Sequence, residues 1–302
     1  MAGAAWRGAR SLYHARARRG SRRAARRGAE RRCRGPRLPL RTRVLHGARV
    51  AVVLPARDEA RWIAEAVGAV PAFVDHVIVV DDASRDSTAE LARGAGDERL
   101  EVVVHAECRG VGAAIVSGYR RARALGAAAV AVMAGDGQMD PRDLPRVVAP
   151  ILSGEADYVK GDRLRHPDVF RVMPLPRLAA TAALAALTRR AAGLDALSDS
   201  QCGYTAISSR AIDALDLDGL WPRYGYPNDL LAALAARRLR VREVSVRPVY
   251  RGEASGLRAR HVITILLLIA RNAIRRRLSS SGRPKDRPGQ DGTRESEFIE
   301  ST

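Results

Sequence analysis

Cysteine is scarce. The 302 residues hold three, Cys33, Cys108 and Cys202, an odd and widely spaced set without a Cys-x-x-Cys pair. That pattern supports neither a zinc site nor a disulfide framework, and a reducing, cytosolic setting is the expectation. Long hydrophobic runs are missing too. The nearest, Val262 to Ala270, lies between Arg260 and Arg271 and falls short of the roughly eighteen apolar residues that a spanning helix needs. No apolar stretch follows the first charges, so a secretory signal is not expected. Acid is almost absent from residues 1–49, which carry sixteen Arg and only Glu30. Aromatics are few there, so a nucleic-acid arm would lack the rings on which bases stack. Glycine is absent from Leu54-Pro55-Ala56-Arg57-Asp58-Glu59, where a dinucleotide fold would place Gly-x-Gly-x-x-Gly, and this disfavours a nicotinamide or flavin enzyme.

What is present begins at Arg49. Val50 to Leu54 is a continuous apolar run of the kind buried on both faces in parallel sheets, and Asp58-Glu59 opens a helix to about Ala69. Strands follow at His76–Val80, Leu100–Val104 and Ala128–Met133, with helices at Ser84–Ala95 and, after a glycine-containing turn at Arg109–Gly112, on to about Leu125. This alternation predicts a mostly parallel α/β sheet with helices on both faces. The second half reads as helices at 143–152, 179–192 and 228–238 and strands at 156–160, 202–208 and 241–250. Gly110, Gly112 and Gly118 follow the third strand rather than the first and lack the Lys-Ser/Thr of a phosphate loop, so close helix packing is their expected use.

Two acidic clusters stand where strands end, in the crevice where open α/β sheets bind ligands. Asp81-Asp82-Ala83-Ser84-Arg85-Asp86 offers acceptors for ribose hydroxyls or base N–H groups, with Asp82 the leading candidate. Gly135-Asp136-Gly137-Gln138 offers a carboxylate and an amide oxygen, which suit Mg²⁺ or Mn²⁺ sharing its shell with a diphosphate. Asp140 before Pro141 starts the next helix.

Taken in order, these segments together with Ser200-Gln201-Cys202-Gly203-Tyr204-Thr205-Ala206-Ile207 and Tyr224-Gly225-Tyr226-Pro227-Asn228-Asp229-Leu230-Leu231 resemble family 2 glycosyltransferases of the GT-A fold, in particular the dolichyl-phosphate mannosyltransferase-like branch. The resemblance covers roughly Arg49 to Arg258. It implies inverting transfer of a hexose from a GDP- or UDP-sugar to a polyprenyl phosphate. Pro55, Arg57 and Glu59 match the family's nucleotide-binding turn, Asp82 its base- or ribose-binding acid, and Asp136 and Gln138 its metal motif. Ala134 departs from the pattern, since relatives often carry an acid there. Arg163 in Gly161-Asp162-Arg163 matches the arginine that meets the acceptor phosphate. Asp229 lies where relatives carry a general base; a helix N-terminal acid is the lesser alternative for it. Arg251 and Ser255 fall in the loop that closes over the donor, where Gly256 replaces a frequent Lys.

The expected organisation is an Arg-rich disordered tail at 1–48, a catalytic domain at 49–257, an amphipathic helix at 258–278 and a loose tail at 279–302. The tail and the helix would hold the enzyme at the inner face of the cell membrane; a helix packed on the domain is the competing reading of 258–278. Transfer to a soluble or cell-wall glycan, and a non-catalytic nucleic-acid binder acting through the tail, are the rival functions.

Overall fold

The computed structural model describes residues 47–249 and 259–281. The Arg-rich segment before them lies outside those ranges, as do Arg251 and Ser255. The elements run β1 Val50–Ala56, α1 Ile63–Gly68, β2 His76–Asp81, α2 Thr88–Arg93, β3 Leu100–Val104, α3 Val111–Ala124, β4 Ala129–Val132, α4 Leu144–Leu152 and β5 Tyr158–Asp162. They continue with α5 Val169–Val172, α6 Leu175–Ala192, β6 Thr205–Ser208, α7 Ser209–Ala214, α8 Tyr226–Ala236, β7 Val241–Ser245 and α9 Ala259–Ser281.

The strands form one sheet in the order β3-β2-β1-β4-β6-β5-β7. β1 pairs in parallel with β2 and β4, β2 with β3, and β5 with β7. β6 alone runs backwards, antiparallel to both β4 and β5. The period of two along β1 explains its unbroken apolar sequence. Val50, Val52, Leu54 and Ala56 pack toward α1 and α4, whereas Ala51 and Val53 pack toward α3 and α8. Both faces are covered, and each fully buried Val or Leu contributes about 1.5–3 kcal/mol.

Glycine sets the spacing on the second face. A Cβ at Gly118 would stand 2.3 Å from Val53 Cγ1, so the α3 backbone rests directly on the Val53 side chain of β1. At Gly112 a Cβ would come within 2.6 Å of the Trp221 carbonyl oxygen. The glycines after β3 thus serve packing.

The expected helix from Asp58 does not begin until Ile63. Asp58 adopts a positive φ of 56°, which takes it out of a helix. Its neighbourhood is tied elsewhere: Asp58 N–H donates to Ser84 Oγ, Glu59 N–H to Thr88 Oγ1 and Ala60 N–H to Asp86 Oδ2. At the other end, α9 runs on to Ser281 rather than stopping at Leu278. It packs on α6 and α8 through Ile265, Leu268 and Ile269, while Leu267 is 66% exposed, with Ile263, Ile274 and Leu278 also facing outward. The reading of this segment as a helix packed on the domain therefore holds for one face, and the other face is apolar and exposed. Among the described residues, no helix is long and apolar enough to cross a membrane.

Candidate active site

The parallel strands β2, β1 and β4 end side by side, and the sequence-predicted acids sit on that edge. Ala56 pairs with Asp81, and Asp82 N–H donates to the Ala56 carbonyl at 2.9 Å. On the other side of β1, a Cβ at Gly135 would meet Ala56 Cβ at 3.3 Å and the Pro55 oxygen at 3.4 Å. Small residues thus let the loop after β4 lie against Pro55 and Ala56. Asp136 then turns the chain: its Oδ1 accepts the Gln138 N–H at 2.9 Å, with Gly137 at φ 67° between them. Asp140 caps the following turn by accepting the Arg142 N–H.

Asp82 faces into the protein. It is buried, and its Oδ1 accepts from His105 Nδ1 at 2.8 Å and Arg109 N–H at 2.8 Å. Its Oδ2 accepts from Gly110 N–H at 2.7 Å and Cys108 Sγ at 3.4 Å. His105 Nε2 in turn meets Ser117 Oγ at 2.9 Å. Burial opposes the Asp82 charge, but these donors outweigh it and hold the carboxyl below its ordinary range. The carboxylate thereby fixes the loop from β3 into α3. Ser84 and Asp86, expected to offer acceptors along one turn with Asp82, bond to the Asp58–Ala60 segment instead, because that segment's N–H groups have left the helix. Arg57 lies beside Asp58 at 3.7 Å, half-exposed.

A cavity of about 410 Å³ opens next to this edge. Asp136, Gln138 and Arg163 all line it, and Arg177 on α6 and Arg247 beyond β7 join them. Ala180, Leu184 and Ile265 give one wall an apolar character. Arg163 is held by Asp199, to which its Nε and Nη2 donate at 2.7 and 3.0 Å. Asp199 is fully buried; burial works against its charge, yet Arg163 and Lys160 keep its carboxyl below the usual range. Lys160 is itself buried without exposure, so desolvation lowers its ammonium pKa, and it donates to the Cys202 carbonyl. Asp162 is pushed the other way, raised by burial and by Glu243 opposite.

Asp229 is not among the residues lining the cavity. It sits buried in the first turn of α8, where Oδ2 accepts the Trp221 N–H at 2.8 Å and Oδ1 pairs with Arg271 of α9. The helix N-terminal acid and the expected site residue are thus one group, anchored from the C-terminal helix.

Sequence reasoning missed Arg177, Arg247, Asp199 and Lys160. In a chain with 52 Lys and Arg, no single arginine stands out. Lys160 did carry a signal, as a charge in the middle of β5, a strand buried along its whole length.

Asp136 and Gln138 supply hard oxygen donors in the cavity wall, and Ala134 beside them supplies none. No group of three or more His, Cys, Asp or Glu able to hold a metal occurs among the described residues. A small divalent cation asks for little more than one carboxylate when substrate phosphates complete its shell, so the donor set fits Mg²⁺ or Mn²⁺ bound together with a diphosphate.

Known proteins resemble this chain in sequence and in fold. The profile of "Glycosyl transferase family 2" matches residues 51–215. The chain is 27% identical over 216 residues to the UDP-N-acetylglucosamine–dolichyl-phosphate N-acetylglucosaminyltransferase of Methanococcus voltae, covering 67% of this chain and 86% of that protein. It is 30% identical over 203 residues to the undecaprenyl-phosphate mannosyltransferase of Micrococcus luteus, covering 66% and 82% respectively. Its fold is similar to a crystal structure of glucosyl-3-phosphoglycerate synthase from Mycobacterium tuberculosis in complex with Mn²⁺, UDP and phosphoglyceric acid, with a TM-score of 0.53 at 23% identity over 80% of this chain and 82% of that one. A GT-A sheet with its acids on the carboxyl edge, matched over more than half its length by one family, has one reading: the chain belongs to glycosyl transferase family 2, as a nucleotide-sugar-dependent enzyme of the dolichyl-phosphate mannosyltransferase-like branch.

Proposed function

We propose that the enzyme moves a hexose from a GDP- or UDP-sugar to a polyprenyl phosphate, with inversion at the anomeric carbon, at the cytoplasmic face of a membrane. The observation that carries this reading is the composition of one cavity, whose lining combines the acid and amide Asp136 and Gln138 with Arg163, Arg177 and Arg247 and with the apolar Ala180, Leu184 and Ile265. Cations with an adjoining apolar surface suit a phosphate that carries a hydrocarbon tail. Pro55, Arg57 and Glu59, at the end of β1, would take the base and ribose, with Asp82 shaping their floor through the 105–110 loop.

The acceptor phosphate oxygen is already anionic near neutral pH. It attacks the anomeric carbon while the bond to the nucleoside diphosphate breaks, and no strong base is required. Asp229 fits that chemistry, since both of its oxygens are engaged by Trp221 and Arg271. A bound Mg²⁺ or Mn²⁺ would offset charge on the leaving diphosphate. Arg251 and Ser255 belong to the same proposal as donor-closing residues. Membrane attachment finds support in the outward apolar residues of α9 and in Phe170, which is 72% exposed, beside Leu175.

The test is a thermal-shift screen of GDP- and UDP-sugars with and without Mn²⁺, followed by turnover on farnesyl phosphate. One donor should raise Tm only with metal, and Asp136→Ala should abolish that rise. Turnover on soluble glycans with farnesyl phosphate inert would overturn the acceptor assignment. Failure to float with anionic vesicles at low salt would remove the membrane part.

A further inference from the structure

Beneath the cavity lies a buried set of charges that the reaction as proposed does not use directly. Asp199 holds the Nε and Nη2 edge of Arg163 in a two-pronged fork. Its Oδ1 also accepts the N–H groups of Gln201 and Cys202, at 3.1 and 3.0 Å, and both of those residues line the cavity. The loop is fixed from below as well. Glu243 accepts the Ser198 and Asp199 N–H groups at 2.6 and 3.2 Å. Lys160, which pairs with Glu243 across β5 and β7, donates to the Cys202 carbonyl.

Burying such a set seldom adds stability, because desolvation of each charge offsets the attraction between them. Its retention under a binding wall calls for another explanation. A guanidinium on a flexible stem gains phosphate-binding power when its plane is fixed in advance, since less ordering remains to be done on binding.

Resting on the acceptor reading above, we propose that Asp199 is a positioning residue for acceptor binding: it sets the plane of Arg163 and, through Gln201 and Cys202, the wall beside it. The proposal makes a prediction of opposite sign to simple charge counting. Asp199→Asn removes a negative charge close to a phosphate site, which by Coulomb attraction alone would tighten acceptor binding. Positioning requires it to weaken.

Steady-state kinetics with farnesyl phosphate and the donor identified by thermal shift decide the matter, using Arg163→Ala, Asp199→Asn and the double variant. Arg163→Ala should raise the acceptor KM by about tenfold or more, as loss of a charge-assisted fork does. Asp199→Asn should raise it about fivefold, with the donor KM within about twofold of wild type, and should add nothing in the Arg163→Ala background. An unchanged or lower acceptor KM, equal damage to the donor KM, or full additivity would overturn the inference while leaving the acceptor reading intact. An Arg163→Ala variant with normal acceptor KM would instead bring down the acceptor reading, and this inference with it. Should Asp199→Asn fail to fold, Asp199→Glu keeps the charge and moves the fork by one methylene; it should show the same split between acceptor and donor KM, and a normal acceptor KM would overturn the inference.

Discussion

The two halves of the sheet are stabilised in different ways. From β1 to β4 the interior is mainly Val, Ile, Leu and Ala on both faces, with its buried polar residues Asp81, Asp82, Thr88 and His105 at or after the ends of β2 and β3, and with shape fixed by close approaches such as Gly118 on the Val53 side chain. From β5 onward the interior holds Asp157, Lys160, Asp162, Asp199, Asn228 and Asp229. The first half presents a rigid edge on which a nucleotide can be laid. The second holds Arg163 on the buried Asp199, with Lys160 and Glu243 close behind, and that half is the more answerable to pH. Binding a base and ribose needs little beyond a shaped edge, whereas receiving an anion needs cations held in place.

The contrast can be broken first at its steric end. Gly118→Val should cost about 3 kcal/mol or more, because even the first added carbon would stand 2.3 Å from Val53 Cγ1 and 3.1 Å from its Cβ, a β-branched side chain with little freedom to swing away. Urea unfolding measures it, and a loss under about 1 kcal/mol would mean that α3 can lift off β1 freely.

Next comes the charged half. Asp157, at the start of β5, receives Arg240 and Arg210, and although burial opposes its charge, these partners lower its pKa from the ordinary 3.8 to about 2. A depressed carboxyl contributes stability that is fully present above its unfolded value and is lost as pH falls through its folded one. The contribution should therefore stand at pH 5 and above and fade between about pH 4 and 2, amounting to about 2 kcal/mol. Asp157→Asn should lower Tm at pH 7 and flatten its decline in acid. A parallel decline for both proteins would show that the acid sensitivity lies elsewhere.

The smallest effect is kinetic. Asp229→Asn should reduce kcat by less than about tenfold with a phosphate acceptor, against the hundredfold or more expected when a general base is lost. A loss of several orders would sharpen the comparison in the other direction, making the charged half a source of proton transfer as well as alignment.

The apolar half was largely legible. A strand buried on both faces writes its whole length in hydrophobic letters, and β1, β2 and β4 fall where those runs fall, while the partly exposed edge strand β3 is still marked by its valines. The exception, the late start of α1, arose because side chains of the next turn captured N–H groups that a helix would have used. In the second half the reversal of β6 is a matter of pairing between distant segments, and nothing local marks it. The site was legible in the same measure. Asp136, Gln138 and Arg163 come to one cavity, while Asp82 turns inward toward His105, a partner 23 positions away that no spacing rule would couple to it.

The reversed strand also orders how the chain can assemble. β1 to β4 find their neighbours within a short stretch of sequence, so this block can form while later residues are still being made. β5 has no such option: its partners are β6 and β7, and β6 must slot between it and β4 before the sheet is continuous. A nascent chain released before residue 208 would therefore expose the open side of β4, an unpaired edge of the kind that recruits other chains.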